Sequence, residues 1–292
     1  MKTNITYWLV LKFLLINFSI NSQSFSIKRA DSLFENKAFE SAATEYERCY
    51  FFIKNDSIRL NMVLKRANCF KAYGNYYEAY KNLFRVLKNE LLNDSLRVKI
   101  WYECALNLYL SNYFNDAENY CLKIAGLPIT NEYTINSILL HGLILNEKND
   151  YFQANLKFND YIEQSNFFEA KKGNLKKLVY NYYQKENYPK LKSVRKARRL
   201  SKILPGAGLF YAGKPSKALT NITLQLFALT YTGLNVYFGN YLTASTAGIH
   251  LIRLFYTGGI NQLNEVIPYQ NYIRSRNFND NFKTNFISEL NK

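Results

Sequence analysis

NYFNDAEN, Asn112–Asn119, is one of four phrases in the chain that share a pattern. NKAFESAA (Asn36–Ala43), GNYYEAY (Gly74–Tyr80) and NDYFQAN (Asn149–Asn155) likewise carry an aromatic residue followed three positions later by alanine. The pairs are Phe39/Ala42, Tyr76/Ala79, Phe114/Ala117 and Tyr151/Ala154, and a small residue stands nine positions before each aromatic: Ala30, Ala67, Ala105 and Gly142. Successive aromatics are 37, 38 and 37 residues apart, so three separate positions hold one register. Self-similarity at a fixed period of this length is the mark of a stacked repeat.

The spacing predicts a helical hairpin in each copy. A small residue on the first helix lets the second approach closely, the aromatic opens the second helix, and the alanine one turn later packs back on the first. Bulky residues return on the same face at Tyr46, Leu83, Cys121 and Phe158. One hairpin cannot bury that face alone, so about four copies are expected to stack into an all-α solenoid over residues 24–165.

From Ile27 to Gln164 the pattern resembles the tetratricopeptide repeat family, with a longer period and without a proline between repeats. The resemblance implies a scaffold that takes a protein or peptide in a groove, and no catalytic role. Independently, no Ser/His/Asp, Cys/His or paired-carboxylate constellation is visible. His141 and His250 are the only histidines, so neither a catalytic site, a metal site nor a cofactor site is expected.

The four cysteines, Cys49, Cys69, Cys104 and Cys121, are irregularly spaced without a CxxC and fall in helical apolar patterns. Buried thiols are expected, because cysteine packs as a small hydrophobe. The amino terminus has Lys2, an apolar run Tyr7–Ile20 interrupted by Lys12, and then polar NSQS. That layout predicts a signal peptide over residues 1–23 and an exported chain.

The net charge of +16 is concentrated: Lys171–Lys217 holds fourteen Lys or Arg against the single acid Glu186, a net +13. Most of this block falls in a Lys/Arg/Tyr-rich helical linker expected over residues 166–202, ending in KLKSVRKARRLSK. No nucleic-acid motif accompanies it, so no nucleic-acid partner is expected. Arg195, Lys196, Arg198, Arg199 and Lys202 are read instead as membrane-surface cations, because an apolar segment follows.

That segment, Ala218–Ile252, contains no Asp, Glu, Lys or Arg. Its first part, Ala218–Gly239, is long enough to cross a bilayer as a helix, and Tyr241–Ile260 is a second candidate carrying His250 and Arg253. Ala244 and Gly248 are spaced for close helix packing. A membrane hairpin is therefore expected over residues 203–264, with an amphipathic tail over 265–292 that carries Phe278, Phe282, Phe286 and Leu290 on one stripe.

Between linker and hairpin lies LPGAGLFYAGKPSKAL, Leu204–Leu219, in which Gly208-x-x-x-x-Gly213-Lys214 imitates a phosphate-binding lysine loop. Pro215 stands where a magnesium-binding Ser or Thr is needed, and no Asp occurs between Lys214 and Asn279. Pro205, Gly206, Gly208 and Gly213 are read instead as shaping a tight apolar turn. The stretch resembles the PGAG-x-x-YAG segment of bacterial membrane proteins related to TM2-type helical hairpins, with Leu209 in place of the usual polar residue. In one such family a signal peptide, tetratricopeptide-like repeats and this module occur together, and Ala30–Phe52 is similar to its opening repeat. The resemblance implies a membrane-anchored scaffold in the bacterial cell envelope, in envelope or membrane-protein biogenesis. A membrane-embedded sensing or transport-accessory module, regulated by the repeats, is the alternative.

Two signals conflict over sidedness, and the signal peptide is followed here, so the repeats are expected in the periplasm. A signal peptide places the repeats in the periplasm, whereas the positive-inside rule places the basic block in the cytoplasm.

Overall fold

The structure, a computed structural model, describes residues 27–87 and 93–292. The expected signal peptide, residues 1–23, lies outside the described residues. Among the described residues every regular element is helical, so the chain is all-α. It divides into two compact units, Met1–Val179 and Tyr180–Lys292.

The first unit is a run of paired helices. Residues 27–35 form α1, followed by α2 (Phe39–Phe52), α3 (Asp56–Ala72), α4 (Tyr76–Phe84), α5 (Asp94–Leu110), α6 (Phe114–Ala125), α7 (Glu132–Glu147) and α8 (Tyr151–Gln164). Each helix packs on the next from α2 to α8, and α5 also packs on α7. Phe39, Tyr76, Phe114 and Tyr151 are the first residues of α2, α4, α6 and α8. Ala30, Ala42, Ala67, Ala79, Ala105, Ala117 and Ala154 are all buried, as is Gly142. A Cβ on Gly142 would lie 3.1 Å from the ring of Phe158, so the missing methyl is what lets α7 and α8 close on each other.

The four hairpins also share a turn that their sequences conceal. Lys37, Gly74, Asn112 and Asn149, each two residues before the aromatic, all have positive φ, between 61° and 84°. The following N–H reaches back five residues in every copy: Ala38 to Leu33 O, Asn75 to Phe70 O, Tyr113 to Leu108 O and Asp150 to Leu145 O, each at 2.9 Å. This is the Schellman closure, which satisfies carbonyls that a helix end leaves without partners. Asparagine tolerates the left-handed conformation and glycine is indifferent to it, which is why unlike residues occupy one position.

α9 (Glu169–Tyr182) contains the boundary between the units. In the second unit, a short 3₁₀ turn (Lys185–Asn187) precedes α10 (Val194–Ile203), α11 (Ala207–Ala212), α12 (Pro215–Tyr237), α13 (Tyr241–Thr243), a π-helical turn (Ala244–Gly248) and α14 (Ile249–Leu290). Ala197, Leu209, Ala212, Ala218, Leu263, Val266 and Ile267 form its core.

Two expectations change here. No helix among the described residues is long and apolar enough to cross a membrane, so the spanning hairpin expected over residues 203–264 is not supported. The reason is visible in α12, where Asn221, Gln225, Asn235 and several threonines interrupt the leucines. The tail expected to begin at residue 265 is continuous with the preceding helix, since α14 runs through Pro268 without a break.

Candidate interaction surfaces

The junction of the first two repeats carries a depression of about 360 Å³, lined by Asp31, Phe34 and Glu35 of α1, Tyr46 of α2 and Lys65 and Asn68 of α3. Tyr46 OH and Lys65 Nζ both donate to Asp31 Oδ1, each at 2.6 Å. Burial pushes the Asp31 carboxyl upward, but the hydrogen bonds from Lys65 and Tyr46 more than offset it, and its pKa lies below the usual value. Burial and the same carboxylate push the Tyr46 hydroxyl well up. Asp31 is therefore a carboxylate that locks two neighbours, while Glu35 and Asn68 remain exposed at the rim.

A second polar cluster joins α6 and α7. Glu118 accepts from Lys148 Nζ at 2.5 Å and stands 3.5 Å from His141 Nε2. Burial lowers the His141 pKa against the opposing pull of Glu118, so the imidazole is neutral near pH 7. This is a packing histidine with a polar partner. Among the described residues no group of three His, Cys, Asp or Glu side chains is placed to hold a metal ion.

All four cysteines are buried as thiols, none in a disulfide. Burial pushes Cys69 up to about 11 and Cys121 up to about 12. Thiols held protonated in this way are poor nucleophiles.

The lysine-loop imitation resolves into two helix boundaries. Gly206 and Gly213, with φ of 85° and 83°, stand on either side of α11. Gly213 closes a further Schellman turn, in which Lys214 N–H bonds Leu209 O at 3.0 Å and Pro215 then opens α12. Gly208 is buried against α10, and its N–H donates to Ser201 Oγ at 3.0 Å. A Cβ there would meet the Ala197 carbonyl, and one on Gly206 would lie 2.8 Å from Ile222. These glycines let helices touch, with no strand ahead of them and no backbone nest left for a phosphate. Pro205 precedes them, half-buried.

Arg195, Lys196, Arg198, Arg199 and Lys202 are all exposed on α10, while Ala197 and Ser201 face the core. Arg198 donates to the Asn264 side chain on α14. The entry to α10 is held by Asn271, which exchanges two 2.8 Å hydrogen bonds with the Lys192 backbone. Further along α14, Phe278 and Phe282 pack on Tyr182 and Tyr183. The aromatic stripe of the tail thus meets the chain's own tyrosines.

What sequence reading missed is how α12 is oriented. Its buried residues are Ala218, Asn221, Gln225 and Ala228. Asn221 Nδ2 donates to Phe255 O at 3.1 Å and Gln225 Nε2 to Ile252 O at 3.3 Å, both on α14. Gly248 and Gly259 sit where a Cβ would strike Thr232 and Asn221. The polar positions 221 and 225 share a stripe with Ala218 and Ala228, and that small-plus-polar spacing was the available signal.

Compared with protein-family models, curated proteins and solved structures, the chain finds no match in any of the three. What the fold and its surfaces define is an all-α chain with a repeated-hairpin unit and a smaller helical unit.

Proposed function

We propose that this chain is a non-enzymatic scaffold of tetratricopeptide-like repeats, attached to a membrane through its second unit and binding a protein partner in the bacterial cell envelope. The observation that carries the reading is the four-fold recurrence of one hairpin, with a small residue, an aromatic, an alanine and a left-handed turn at matching positions in each copy. Repetition of this kind builds a long surface from short units and serves recognition. The depression at Asp31, Phe34 and Lys65 offers a recess for a partner side chain, rimmed by the exposed Glu35 and Asn68. The exposed basic helix α10 supports attachment to a membrane surface.

A photo-crosslinking residue at position 68 of the full-length chain tests the partner, with position 119 on α6 as an exposed control. A discrete adduct from position 68, absent from 119 and lost in Glu35→Arg, is expected. Equal or absent crosslinking at both positions would exclude this depression as the binding place.

A further inference from the structure

The hairpin of the second unit is inverted relative to a helix pair that faces water. Along α12 the side turned to α14 is small and polar, and the large apolar side chains lie on the remaining circumference, with Thr220, Thr223 and Thr230 among them. Leu219, Leu226, Phe227 and Leu229 are each more than half exposed, and past the helix end Phe238 and Leu242 are 69% and 79% exposed. A surface helix in water buries its leucines and shows its amides. Here Asn221 and Gln225 are 7% and 5% exposed, spent on carbonyls of the facing helix. Contiguous exposed apolar surface on this scale marks an interaction site.

Charge decides what covers it. Between Glu186 and Glu265 the chain contains no Asp or Glu, while ten Lys or Arg occur, nine of them before Ala218. The exposed cations of α10 lead directly into Ile203, 85% exposed, and Leu204, 59% exposed. A second copy laid over this surface would bring the same acid-free, cationic segment against itself. A surface that offers anionic groups beside hydrocarbon satisfies both features.

We infer that the hairpin of α12 and α14 enters the hydrocarbon of an anionic phospholipid bilayer, with α10 lying on the lipid headgroups. This rests on the membrane-attachment reading above and names its ligand. Asn221 and Gln225 hold the helices together inside the lipid, where backbone carbonyls on the facing helix are their available partners. The leucines face acyl chains, and Arg195, Lys196, Arg198, Arg199 and Lys202 face phosphates. Insertion by an outward apolar surface does not require either helix to cross the bilayer, and affinity scales with the apolar area buried plus the attraction to anionic lipid.

Full-length protein should float with vesicles containing phosphatidylglycerol and stay behind with vesicles of phosphatidylcholine alone. Arg198→Gln/Arg199→Gln should partition roughly thirtyfold more weakly, about a fivefold factor for each cation removed from the surface. Leu226→Glu/Phe227→Glu should abolish flotation while keeping the helical circular dichroism of the parent, since both side chains point away from the core. A tryptophan placed at Phe227 should be quenched by brominated acyl chains. Equal flotation on both vesicles would overturn the anionic-lipid assignment and leave membrane attachment standing. No flotation on either would overturn both. A lipid-free dimer by light scattering that Leu226→Glu converts to monomer would assign the surface to a second copy instead.

Discussion

Lys37, Gly74, Asn112 and Asn149 hold one backbone conformation with three kinds of side chain, and this gives residue-scale predictions with opposite signs. A Cβ on Gly74 would meet nothing within 4 Å, so Gly74→Ala isolates the conformational term. It should cost about 1 kcal/mol in urea unfolding, and Lys37→Gly should gain up to about the same. Equal effects of both substitutions would mean that the turns are not set by their left-handed residue. His141 predicts a pH effect. Its pKa is lowered from 6.5 by burial, against Glu118 and with Lys157 and Lys148 assisting. The unfolded chain therefore binds more protons below pH 6.5, and stability should fall as pH drops through that value toward the depressed one. In His141→Gln the slope of unfolding free energy against pH over that window should flatten.

At the scale of elements, the closeness of α7 and α8 rests on one missing methyl. Gly142→Ala should destabilise the parent, because the added Cβ presses on Phe158, with overpacking costs on the order of 1–3 kcal/mol. In a Phe158→Leu background the same change should be neutral or stabilising, since alanine favours a helix by about 1 kcal/mol over glycine. A double-mutant cycle in denaturant measures the difference. Additive effects would show that the two side chains do not compete for the same space. The pairing of small residue and bulky return was legible in the sequence because both recur at a constant offset. The Schellman turns were not, since Lys, Gly and Asn share a conformation and no composition. The inward amides of α12 were not legible for a related reason. A count of apolar residues over Ala218–Gly239 averages over the helix circumference, and only packing tells which side Asn221 and Gln225 occupy.

At the scale of the whole molecule, the cysteines report on the first unit alone. Cys49 and Cys69 lie in its first two hairpins, Cys104 and Cys121 in its third, and all are at most 2% exposed. Stacked repeats touch only their neighbours, so terminal copies open more readily than internal ones. Maleimide labelling in mild denaturant, followed by peptide mass analysis, should modify Cys49, in the terminal copy, before Cys69, Cys104 and Cys121. Simultaneous labelling would indicate a unit that opens all at once. The division of the chain reflects two sources of information. By itself the sequence determined the helical class, the four-copy register and the burial of the cysteines, because period and residue size are properties of the string. It also excluded the lysine loop as a phosphate site, since Pro215 stands where a hydroxyl is required. Tertiary structure alone decided that the glycines of Leu204–Leu219 bound and pack a short helix, that α14 runs on through Pro268, and that α12 turns its amides inward. Those outcomes depend on which neighbour a side chain meets, and distance across a fold is not encoded in any local window of residues.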